Sequence, residues 1–194
     1  MSACLIKAGG HSSPPLLNLM TASEVFEAVT GSGSSDFAAL VAILNRRGSW
    51  CLIGGLAVNC YVEPVYTLDA DIVVIASELP AIKDELMEAG FAVEAFPHSL
   101  NARMPKSDLR IQFTLDPRYQ AFVEDTTVRE VLGQQVPVAS LAKVVRGKIW
   151  AWSDERRRLS KRKKDELDLI RILEVYPEVR DLMPAEIKSQ LETE

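Results

Sequence analysis

At 194 residues, 47% of them hydrophobic, the chain suits one packed domain, or one domain with a helical extension, and no apolar run reaches the length of a membrane span. A net charge of −5 argues against a general nucleic-acid coat protein, although a local basic patch is compatible with it. Three cysteines with no Cys-x-x-Cys pair predict reduced thiols in a cytoplasmic protein, and two histidines argue against a His-based zinc site. The N-terminus lacks a basic region followed by an apolar core, so no signal peptide is expected.

Residues Met1 to Met20 read as a loose arm. Thr21-Ala-Ser-Glu24 is a capping-box pattern opening a short helix to about Val29, and Gly31 to Ser35 breaks it. Asp36 is expected to cap a helix from Phe37 to about Arg46, with Leu40, Val41 and Leu44 on its apolar stripe and Gly48 at its end. Trp50 to Ile53 is a short apolar strand that runs straight into Gly54-Gly55 and a short helix. Asp69-Ala70-Asp71 then enters the β-branched run Ile72 to Ile75, a buried strand. Ser77 is placed to cap a helix ending at Gly90, and Phe91 to Phe96 reads as a strand. His98 to Lys106 reads as a polar loop. From Asp108 to Leu115 the chain alternates, with Leu109, Ile111, Phe113 and Leu115 on one face and Asp108, Arg110, Gln112 and Thr114 on the other. Asp116-Pro117 turns the chain, and Tyr119 to Val138 is ambiguous: a short helix or an extended segment, then a hairpin around Gly133-Gln134.

Ser140 opens a helix to about Trp152 whose stripe is Leu141, Val144, Val145, Ile149 and Trp152. Lys148 falls inside that stripe. Two readings are open: a lysine that snorkels its head to solvent, or an ammonium aimed at phosphate in a cleft. Arg156 to Lys164 is strongly basic, which is either a solvated face or the mouth of a site for an anionic partner. A final helix from Lys164 is expected to turn Leu167, Ile170 and Leu173 or Glu174 inward, with Lys164 reaching Asp168 at i,i+4.

Two stretches carry chemistry. Asp69 and Asp71 are two apart on a strand, so both carboxylates share one face. Like charges held together repel, and a divalent cation with a taste for hard oxygen ligands, such as Mg²⁺ or Mn²⁺, resolves that. Gly54 and Gly55 let backbone N–H groups approach a phosphate at the start of a helix.

A Gly-Gly turn, a short helix, then Thr67 two residues before Asp69-x-Asp71 resembles the DNA polymerase β-like nucleotidyltransferases. Further on, Gly147-Lys148-Ile-Trp-Ala151 and Lys164-Asp165-Glu-Leu-Asp168-Leu169 look like the C-terminal half of the AbiEii-type abortive-infection toxins in that superfamily. The resemblance spans about Trp50 to Tyr176. It implies an α+β (α/β-like) fold in which a small mixed β-sheet is flanked by helices and C-terminal helices close the cleft. The chain then divides into an arm and short helix over 1–35, a core over 36–139 and a helical part over 140–194. The implied reaction moves a nucleoside monophosphate from an NTP to a protein or RNA acceptor, in a toxin-like setting with an antitoxin partner. Catalytic positions fall on Asp69, Asp71, Lys148 and Asp165, nucleotide-binding positions on Gly54, Gly55, Thr67 and Lys148, and metal ligands on Asp69 and Asp71.

Two positions depart from the pattern. Val65 stands where relatives often have Arg. Gln112 stands where many carry a third carboxylate on a neighbouring strand, with Asp108 and Asp116 as the remaining candidates. The alternative is therefore a protein of the same fold that binds a nucleotide or partner without turnover.

Overall fold

The structure, a computed structural model, describes residues 26–27 and 30–191. The expected N-terminal arm and most of the capping-box helix lie outside these residues.

Helix α1 (Gly33–Asn45) starts four residues earlier than expected. Asp36 is not its cap. It sits buried in the first turn, where its carboxylate accepts a hydrogen bond from the Ser32 hydroxyl at 2.8 Å. Gly33 tolerates this start because a Cβ there would lie 2.2 Å from the Thr30 hydroxyl oxygen. The stripe of Leu40, Val41 and Leu44 is buried as predicted, and Phe37 joins it.

Strand β1 (Trp50–Ile53) is buried throughout and ends directly in helix α2 (Gly54–Val58). Strand β2 (Asp69–Val74) follows, one residue shorter than expected. Ser77 caps nothing: it lies within a 3₁₀ turn, Ala76–Glu78, ahead of helix α3 (Leu79–Glu88). Strand β3 (Ala92–Phe96) is followed by β4 (Ser99–Arg103), a strand where a loop was expected. Its residues are polar because only Leu100 and Ala102 face the core, so little apolar periodicity is visible over five residues. Strand β5 (Arg110–Thr114), a 3₁₀ segment (Pro117–Glu124), the hairpin β6 (Thr126–Val131) and β7 (Gln134–Ala139), and helices α4 (Leu141–Ser153) and α5 (Leu159–Val175) complete the core. A 3₁₀ turn (Pro177–Leu182) and helix α6 (Ala185–Gln190) close the described chain.

The seven strands form one mixed sheet in the order β3-β4-β5-β2-β1-β7-β6. β2 is antiparallel to β1 and parallel to β5, which places it at the centre. Register then aligns side chains across four strands: Asp71 beside Gln112, Gln112 beside Asn101, Asn101 beside Glu94. The opposite face carries Ala70, Ile72, Leu100, Ile111 and Phe113, all buried. Helices α4 and α5 pack on each other, and α2 packs against β2 and α4. Among the described residues no helix is long and apolar enough to cross a membrane.

Candidate active site

Asp69 and Asp71 open β2 and share its polar face with Arg110 and Gln112 of β5. The Asp71 carboxylate lies against the turn that starts α2. Gly54 there has a φ of +70°, and a Cβ built on it would fall 2.0 Å from Asp71 Oδ2. Only glycine meets both demands, a left-handed backbone and a bare α-carbon. Gly55 is close to Thr67, whose hydroxyl would lie 3.3 Å from a Cβ at Gly55.

Burial pushes the Asp71 carboxyl up from its ordinary range, the nearby Lys148 opposes that, and Asp69 adds to it. Asp69 is better compensated. Arg110 Nε lies 2.8 Å from Asp69 Oδ1, and Lys161 Nζ lies 3.2 Å from Oδ2.

On the helical side, Lys148 is buried, not snorkelled to solvent. Its ammonium lies 2.9 Å from Asp165 Oδ1 and 2.6 Å from Asp168 Oδ2. Burial alone would push the lysine down, but the two aspartates outweigh it and hold it above its ordinary value. Arg157 Nε joins Asp165 at 2.9 Å, and Arg171 joins Asp168 at 3.0 Å. This corrects two expectations for α5. Lys164 does not pair with Asp168; its ammonium points to the Thr67 hydroxyl at 3.5 Å. Leu167 is 51% exposed, while Asp165, Asp168, Leu169, Ile172 and Leu173 are buried. The apolar count had set the helix phase wrongly, because two charged residues belong to the inner face when a buried lysine faces them.

A cavity of about 590 Å³ gathers Asp69, Asp71, Gly55, Thr67, Lys148 and Asp165 on its wall, together with Arg103, Arg110, Arg157, Lys161 and Lys164. A smaller one of about 120 Å³ adjoins it and is lined by Gly54, Asp71, Lys148, Tyr119 and Phe122. The seven residues given catalytic, nucleotide-binding or metal roles from the sequence thus each border one of two neighbouring cavities. The basic run divides. Arg157, Lys161 and Lys164 turn into the site, whereas Arg156 stays exposed and pairs, among the described residues, with Asp154.

Sequence reasoning missed Arg110, Arg103 and Tyr119. Arg110 was legible as a neighbour of Gln112 on the polar face of an alternating strand. Arg103 was hidden by the reading of β4 as a loop. Tyr119 lay in the ambiguous segment; its hydroxyl donates to the Gly147 carbonyl at 3.3 Å, and a Cβ at Gly147 would lie 3.1 Å from its ring. Gly147 therefore lets α4 close on the 3₁₀ segment. Neither Asp108 nor Asp116 borders either cavity, and Asp116 pairs with Arg118. Among the described residues no group of three metal-ligating side chains is assembled.

The architecture is that of nucleotidyltransferases. The antibiotic-resistance factor ANT(2″)-Ia, solved in complex with adenylyl-2″-tobramycin, superposes with a TM-score of 0.54 at 13% identity, covering 81% of this chain and 98% of its own. Its solution structure gives 0.53 at 14% identity, over 84% and 95% of the two chains. An antigenic nucleotidyltransferase-like protein from Paracoccidioides brasiliensis gives 0.51 at 16%, over 75% and 77%. No family model matches the chain, and no curated protein does. What this protein shares with those structures is the fold.

Proposed function

We propose that the protein is a Mg²⁺-dependent nucleotidyltransferase that moves a nucleoside monophosphate from an NTP to an acceptor on RNA or protein. The observation that carries this is the interlock of Gly54 with Asp71: a bare backbone turn, able to take phosphates, is held against a strand carboxylate that is short of compensating charge. The donors suit one divalent cation, Mg²⁺ or Mn²⁺, held by Asp69 and Asp71, with the Gln112 amide oxygen the nearest neutral ligand across the strand pair. When bound, it neutralises triphosphate charge and polarises the α-phosphate. The backbone of Gly54 and Gly55 receives the outer phosphates. Lys161 and Lys164 add positive charge beside them, with Thr67 fixing the floor. Lys148 works through its field on Asp71, since its ammonium is paired with Asp165 and Asp168. Asp165 holds both Lys148 and Arg157 in place.

A polyamine drug such as tobramycin is a poor acceptor for this cavity, because Arg103, Arg110, Lys161 and Lys164 would repel it. An anionic acceptor suits it. Among nucleotidyltransferases we place the chain nearest the AbiEii-type toxins, on Gly147-Lys148 and Lys164-Asp165-Glu-Leu-Asp168, with an antitoxin as the matching partner. Growth arrest on expression of the wild type, absent with Asp71→Asn, is the expected sign of that setting.

A second reading has its own observation. Gln112, beside Asp71, cannot take the place of a carboxylate, which favours a nucleotide-binding protein without turnover. Calorimetry tests the shared part of both readings. The wild type should bind Mg²⁺–nucleotide, and Asp69→Asn and Asp71→Asn should each abolish it. Equal affinity in all three proteins would remove the site.

A further inference from the structure

We infer that the acceptor group is a phosphate monoester, so that the transfer joins two phosphates rather than a phosphate and a hydroxyl. The inference rests on the nucleotidyltransferase reading and names its second substrate. An alcohol is a poor nucleophile until a base takes its proton, and the base must lie within hydrogen-bond reach of it. Three of the four carboxylates bordering the cavity are otherwise engaged. Asp69 is held by Arg110 and Lys161, and Asp165 by Lys148 and Arg157. Asp71, like Asp69, is a metal ligand of the proposed site. Glu94 is on the same cross-strand row but two strands beyond Gln112, roughly 10 Å away at the usual strand spacing. The residue beside Asp71 on the neighbouring strand is an amide, Gln112, which accepts no proton.

The same wall is built for an anion. Arg103 makes no ion pair among the described residues, and continuing the β4–β5 register by one residue sets it opposite Arg110. Lys161 and Lys164 approach from α5. Asn101, between Glu94 and Gln112, has a buried Oδ1 with no hydrogen-bond partner, which suits a donor on the body of the acceptor. A phosphate monoester is ionised near neutral pH, so it needs no base, and a guanidinium fork matches its oxygens.

The step balances without proton transfer. An acceptor phosphate oxygen attacks the α-phosphorus, and a P–O–P linkage forms. The bond from the α-phosphorus to the bridging oxygen breaks, and pyrophosphate leaves with that electron pair. The phosphate can come from a 5′-phosphorylated RNA end or from a small sugar phosphate; the two offer the same chemistry at the attacking oxygen.

The test uses the full chain, α-labelled nucleoside triphosphates and Mg²⁺. The acceptors are a 5′-phosphorylated oligoribonucleotide, ribose 5-phosphate, and the dephosphorylated form of each. The expected result is label on a phosphorylated acceptor, in a linkage cleaved by pyrophosphatase-type hydrolysis of P–O–P bonds, with none on its dephosphorylated twin; the labelled arm identifies the source. Arg103→Gln should raise the acceptor KM about tenfold, the loss of one charge-assisted contact, and leave the Mg²⁺–nucleotide affinity in calorimetry unchanged. Label on either dephosphorylated acceptor overturns the inference. So does nucleotide binding without transfer to either phosphorylated one. Loss of nucleotide binding itself would remove the underlying reading, a separate result that calorimetry reports on its own.

Discussion

The site has two acidic halves that answer the same problem in opposite ways. On β2, Asp69 and Asp71 are two residues apart on a strand and open to the cavity. On α5, Asp165 and Asp168 are three apart on a helix and sealed. The helical pair is saturated by Lys148, Arg157 and Arg171. The strand pair is not: Asp69 has cations, while Asp71 meets Lys148 only through space and is held above its ordinary carboxyl range. Charge that is fully paired within the protein serves structure, and charge left under-compensated beside a cavity is available to a ligand.

The comparison breaks most visibly at Lys148. Lys148→Met removes the centre of the sealed half and leaves Asp165 and Asp168 buried with one cation each. The expected loss is about 3 kcal/mol of stability, read by denaturant unfolding. An unchanged midpoint would mean that the helical carboxylates are not held by this lysine.

Gly54→Ala strikes the open half. It forces a methyl into the Asp71 carboxylate and a side chain into left-handed backbone, for a loss of about 2 kcal/mol and of nucleotide affinity together. Retained Mg²⁺–nucleotide affinity in this variant would separate the glycine turn from the aspartate.

Asp71→Asn should do the reverse of Lys148→Met and raise the midpoint, by less than that loss, while ending metal-dependent nucleotide binding. The pH dependence has a definite sign. A carboxyl whose folded value is raised binds its proton more tightly in the folded chain. Its favourable contribution is complete at pH below the ordinary carboxyl value. That contribution is lost as pH rises from there through the raised folded value. Asp71→Asn removes that fall, so the wild-type and variant stability curves should diverge with rising pH and then run parallel. Curves that stay parallel throughout would show Asp71 to be compensated.

The smallest contrast sharpens the basic run. Arg157→Ser should cost about 1 kcal/mol through its lost contact with buried Asp165, and Arg156→Ser should leave both the unfolding midpoint and nucleotide affinity at wild-type values. Equal effects of the two would undo the division of that run into inward and outward residues.

The central strand, its Asp-x-Asp face, the Gly-Gly turn and the helix bearing Lys148 were legible in the sequence because each depends on local rules, although the Ser140 hydroxyl bonds Asp125 rather than capping that helix. Side chains two apart on a strand share a face, and a glycine doublet between a strand and a helix marks a tight turn. β4 was not legible, since its two inward residues leave too short a pattern to distinguish strand from loop. The phase of α5 was misread for a physical reason: hydropathy assigns aspartate to the outside, and only a lysine from another helix makes the inside affordable for it.

What the sequence by itself determined is which residues are available to a site and, through strand and helix periodicity, which of them share a face. What only the tertiary structure decided is which charges meet. Strand register set an amide rather than an acid beside Asp71, and the approach of α5 gave Lys161 to Asp69 and brought Asp165 and Asp168 to Lys148. Pairings of that kind join residues up to 92 positions apart. They follow from how the elements pack, because electrostatic interaction falls off with distance in space and is indifferent to distance along the chain.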